Sequence, residues 1–160
     1  MAIGSEIFDA GNSKTFHEGL PLYIWKLLGE EWVKKELKKE LLLRHPILQW
    51  QNAMISFRGD NIQGPGKTHT ASNKGEISAL LNLSYNLYLM AHHSKLQEKL
   101  IMRLKDPNQF LGAHYELQVA AFCIQAGFEI TLEDEDDPNS THCEFTATNI
   151  KSGRKFSVEA

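Results

Sequence analysis

The chain has 160 residues, 42% of them hydrophobic and 23% charged, the balance of an ordinary globular protein with one well-packed domain or a small core plus a helical extension. The opening MAIGSEIFDAGNSKT has no basic segment leading into an apolar run, the most apolar stretch, Ile77 to Ala91, is too short and too polar to span a bilayer, and two cysteines, Cys123 and Cys143, fit a reduced cytoplasmic protein better than a disulfide scaffold. The net charge of −3 is unevenly spread: residues 14–105 hold fourteen Lys or Arg against eight Asp or Glu, and residues 106–160 hold three against ten, so a basic helical part able to sit on a polyanion precedes an acidic part able to bind metal.

From Pro21 to Arg44 apolar residues recur mostly three and four apart (Leu20, Ile24, Leu27, Leu28, Trp32, Leu37, Leu41), which predicts a helix ended by Pro46. A shorter helix is expected over Ile47 to Phe57, and the Gly-, Asn- and Thr-rich stretch 58–72 reads as a loop. A long helix follows, opened by Asn73 with Glu76 three residues on, and runs to about Lys105. Asp106 as N-cap and Pro107 at the first helical position then start a helix over 107–126, which Gly127 stops.

Beyond Gly127 the period changes from helix to strand. Alternation predicts strands at about 128–132, 143–148 and 155–160, the last two joined across Asn149 to Arg154. The expected organisation is a helical region over 1–105 and a helix–strand–strand–strand unit over 106–160. The whole is α+β.

A four-residue loop over 150–153 sets Asn149 opposite Arg154, and the same register sets Glu144 opposite Glu159. Paired side chains leave one face about 5 Å apart at Cβ, so the two carboxylates repel unless a cation lies between them. Mg²⁺, ordinarily held by one or two carboxylates with waters and phosphate oxygens, answers that need. Glu116 joins them by a separate argument. Its neighbours along the helix face are Gly112, Ala113, Val119, Ala120 and Cys123, and a glutamate in such a small, apolar stripe needs a partner that offsets its desolvation. The small residues also let this helix lie close against the sheet that presents Glu144 and Glu159.

Gly112-Ala-His-Tyr-Glu116-Leu-Gln-Val-Ala-Ala, Ala126-Gly-Phe-Glu-Ile130, His142-Cys-Glu144-Phe and Phe156-Ser-Val-Glu159-Ala160 follow in that order. Residues 111–160 thereby resemble the opening half of the core of the PD-(D/E)xK, or restriction-endonuclease-like, nuclease superfamily. The resemblance implies metal-dependent hydrolysis of DNA phosphodiester bonds. It implies that Glu144 and Glu159 hold Mg²⁺ or Mn²⁺, with Glu116 a further ligand or an outer carboxylate. Cys143-Glu144 replaces the family's Pro-Asp, and the sequence stops one residue before the expected catalytic lysine. An ending inside a strand, ahead of that lysine, is expected of an inactive fragment, or of a chain whose sheet edge pairs with a partner, including a second copy. The alternative reading is a non-catalytic module that binds protein or nucleic acid through its basic helices, the acids being incidental.

Other patterns carry less. Gly64-Pro-Gly-Lys67-Thr68 lacks the first glycine and the strand–loop–helix context of a phosphate loop. His92, His93, His114, His142 and the cysteines lack structural-zinc spacing, and Glu133 to Asp137 lacks the ligand alternation of a calcium loop. Trp25, Trp32, Trp50, Met90 and Met102 read as core.

Overall fold

The computed structural model describes residues 2–3, 6–9, 11, 13, 15–61, 72, 74–132 and 144–159. The chain is α+β, helices first and a three-stranded antiparallel sheet last. It divides into two compact units, Asp9–Tyr85 and Ala2–Phe8 with Asn86–Ala160. Among the described residues no helix is long and apolar enough to cross a membrane.

In the first unit the Thr15 hydroxyl accepts the Glu18 amide at 3.3 Å and opens helix α1, Phe16–Leu28. The helix thus begins ahead of Pro21, which lies inside it. The single helix expected over 21–44 is instead two, because Gly29 takes φ 82° and turns the chain before α2, Glu30–Leu37. A 3₁₀ turn follows at Leu41–Leu43, and α3 spans Pro46–Asn61. Residues 58–61, expected in a loop, are therefore helical. The rest of that loop, 62–71, lies outside the described residues, as does Asn73.

Apolar side chains of this unit, among them Leu20, Ile24, Leu28, Val33 and Ile47, are buried, each such burial being worth roughly 1.5–3 kcal/mol. One charged group joins them. Glu36 accepts the His45 amide at 3.0 Å and the Lys39 ammonium at 2.5 Å, and Trp32 meets the His45 ring edge-on at 5.2 Å.

The long helix expected over 73–105 is broken. Helix α4 covers Gly75–Leu89, a 3₁₀ turn Met90–His92, and α5 Ser94–Leu104. His93 leaves the helical region at φ −115°, ψ 59°, and Gln97 donates across the break to the Leu87 carbonyl at 2.7 Å. Met102 is 68% exposed, not core, whereas Met90 is fully buried.

Helix α6 spans Phe110–Gln125, three residues shorter at its start than expected. Asp106 does not cap it. Its carboxylate folds back onto the Asn108 amide at 2.9 Å and the Gln109 side chain at 3.0 Å, which makes residues 106–109 a turn. The stop falls as expected: Gly127 takes φ 81° and its amide closes on the Ile124 carbonyl at 3.0 Å. Strands β3 (Phe128–Leu132), β4 (Phe145–Asn149) and β5 (Lys155–Val158) form the sheet in that spatial order. Helix α6 packs against both β3 and α5, burying Ala113, Leu117, Ala120 and Ala121 while Ile130, Phe145 and Ala147 are buried from the sheet. Strands Ala2–Ile3 and Glu6–Ile7, not anticipated from the sequence and here β1 and β2, make a separate two-stranded hairpin.

The register of the β4–β5 hairpin is the one expected, Phe145 facing Val158 and Thr148 facing Lys155. The Asn149 side-chain oxygen accepts the Ser152 amide at 2.8 Å and the Lys151 amide at 3.2 Å, and Gly153 completes the loop at φ 69°. This loop locks the pairing, and so determines where the strand ends bearing Glu144 and Glu159 lie.

Candidate functional site

Helix α5 buries Leu96, Leu100 and Leu104 along one stripe. Arg103 stands on that stripe too, seven residues beyond Leu96, so its side chain is drawn toward α6 and is only 26% exposed. Helix α6 answers with Glu116, 1% exposed, on the face that also carries Ala113, Leu117 and Ala120. The Arg103 Nη1 donates to Glu116 Oε2. The same nitrogen lies 3.6 Å from Glu144 Oε2, in the bend leading into β4, where the Glu144 amide is pinned to the Val158 carbonyl at 2.9 Å.

Two carboxylates from different elements therefore meet one guanidinium nitrogen. Burial pushes the Glu116 carboxyl above its ordinary range; Arg103 opposes that shift, Glu144 adds to it, and Lys99 weakly opposes it. The second oxygen, Glu116 Oε1, is buried with no hydrogen-bond partner among the described residues. A buried carboxylate oxygen left unsatisfied costs roughly 1–3 kcal/mol or more, and a cation or a water donor would relieve it.

Of the three acids singled out in the sequence, Glu116 and Glu144 come together. Glu159 is exposed, one residue past the last ladder pair. Among the described residues no group of three or more His, Cys, Asp or Glu side chains is gathered as a metal site. A two-carboxylate set still suits Mg²⁺ or Mn²⁺, which take their remaining ligands from water and phosphate, and Oε1, without a partner among the described residues, could serve as one ligand. The residues present thus fit a divalent cation. His142, Cys143, Glu133 to Asp137 and Gly64 to Thr68 lie outside the described residues.

The sequence reading missed Arg103. Its signal was the one that exposed Glu116, a charge on an apolar stripe, here Leu96, Leu100 and Leu104. With α4 and α5 read as one helix, the phase of that stripe was lost at His93.

No family model, no curated protein and no solved structure matches this chain.

Proposed function

We propose that the second unit is a nuclease-like core of the PD-(D/E)xK kind, acting in the cytoplasm on DNA, with Mg²⁺ or Mn²⁺ held by Glu116 and Glu144 and with Glu159 as a further carboxylate on the neighbouring strand end. The observation that carries the reading is the Glu116 carboxylate, buried beside a second carboxylate with one oxygen unsatisfied among the described residues. The order of elements supports it, since a helix with an inward glutamate leads through Gly127 into a strand and a hairpin, the order of the resemblance. When bound, the metal supplies an activated water and positive charge for the phosphate. The chain's own part is to hold Glu116 rigidly on a buried helix face, to pin Glu144 through its backbone, and to keep Arg103 beside them without metal.

A second reading is favoured by one observation. Arg103 already pairs with Glu116 and approaches Glu144, as it would in a non-catalytic module that binds protein or nucleic acid through its basic helices.

Metal-dependent thermal stabilisation separates the two. Mn²⁺ at about a hundred times its Kd should stabilise the chain by about 2.7 kcal/mol, a rise of several degrees in Tm. Glu116→Gln and Glu144→Gln should each abolish the shift. An unchanged Tm in excess Mn²⁺ favours the module.

A further inference from the structure

We propose that Arg103 is a displaceable counter-ion of this site, a positioning residue that holds Glu116 and Glu144 together without metal and is driven off them when a divalent cation binds. The proposal rests on the metal reading above and adds a residue that the sequence resemblance does not supply.

One nitrogen, Arg103 Nη1, meets Glu116 Oε2 and stands 3.6 Å from Glu144 Oε2. A divalent ion held by the same two carboxylates would need that space, and two cations so close repel strongly in a partly buried setting. The three groups differ in their freedom to yield. Glu116 is 1% exposed on a packed helix and has nowhere to go, and the Glu144 backbone is tied to Val158. Arg103 is 26% exposed on α5. Its long side chain can turn its head to water while the stem stays packed. It cannot yield by losing its proton, because arginine stays charged, so the metal must move it bodily. Glu116 Oε1, buried and without a partner among the described residues, gives the incoming ion a contact that Arg103 does not use.

Mn²⁺ affinity measured by titration calorimetry on the wild-type chain, Arg103→Met and Arg103→Lys tests this. Arg103→Met removes the competing charge and should bind Mn²⁺ about tenfold more tightly, a usual size for coupling between two ligands. Arg103→Lys keeps the charge and should stay near wild type. A merely structural Arg103 predicts the opposite sign, since loosening the acid pair weakens metal binding. Equal or weaker binding in Arg103→Met, with wild type still binding, overturns the proposal and leaves the metal reading standing. No Mn²⁺ binding by either chain overturns both. Should Arg103→Met fail to fold, the wild-type chain decides. Its Arg103 side-chain N–H signal, identified by its loss in Arg103→Lys, should exchange faster with solvent as Mg²⁺ is added. A signal unchanged at saturating Mg²⁺ refutes displacement.

Discussion

Arg103 on α5 and Glu116 on α6 are 13 residues apart in sequence, and the guanidinium of one is bonded to the carboxylate of the other in a partly buried setting. Such a pair is sensitive to the loss of one partner and tolerant of the loss of both, because the penalty lies in the charge left behind. Glu116→Ala should lower stability by about 2–3 kcal/mol, at the lower end for a buried pair because Arg103 retains access to water. Arg103→Met combined with Glu116→Leu should come within about 1 kcal/mol of wild type. Urea unfolding of the single and double variants measures both; equal losses in the two would mean that the pair is not the unit of stability.

Acidification should destabilise the first unit through His45. Its imidazole is held below the usual histidine range, first by burial, with Lys39 reinforcing and Glu36 opposing the shift. Above the unfolded value of 6.5 the ring is neutral in both states and the stability is fully present. As pH falls below 6.5 the unfolded chain takes up a proton that the folded ring resists, so stability falls until the depressed folded value is reached. His45→Gln should flatten this part of the stability–pH curve. An unchanged slope in the variant would place the titration elsewhere.

Gly127 is where α6 becomes β3, at φ 81°, and a Cβ there would meet nothing within 4 Å. Gly127→Ala should therefore cost about 1 kcal/mol, from the left-handed backbone alone and not from a clash. A loss of several kcal/mol on thermal unfolding would show that space, not conformation, sets this position.

DNA binding, as part of the proposed function, should be independent of base sequence and steep in salt. Lys34 and Lys39 are engaged with Glu30 and Glu36, while Lys35 on α2 and Lys38, the residue that follows it, are exposed. Each phosphate contact contributes about −0.9 to the slope of log K against log salt. Lys35→Gln with Lys38→Gln should reduce that slope by about 2 if both touch phosphate. Fluorescence anisotropy of a labelled duplex at several salt concentrations reads it, and an unaltered slope would remove these two lysines from the interface.

Much of the second unit could be read from its residues, because local rules decide its features. A glycine at a helix end takes the left-handed conformation cheaply, so Gly127 marked the turn from helix to strand. A four-residue loop closed by Asn149 leaves one strand register, so the facing of Phe145 and Val158, and the approach of Glu144 toward β5, followed from counting. Glu116 stood out as a charge among small apolar neighbours, and it is buried. The helical part was less legible because its boundaries depend on competition between neighbours. Apolar spacing continued across Gly29 and His93, yet both leave the helical region, and Asp106 bonded to the turn after it instead of capping α6.

The sequence by itself determined the α+β order, the hairpin register and the identity of the buried acid, since each rests on residue type and short-range spacing. Only the tertiary structure decided what faces that acid. Electrostatic partners are chosen by distance through space, and the packing of α5 on α6 carries Arg103 to Glu116 and within 3.6 Å of Glu144. Glu159 stays exposed beyond the ladder. Strand pairing determines which residues lie opposite each other, but whether a carboxylate is buried depends on the layer packed over it.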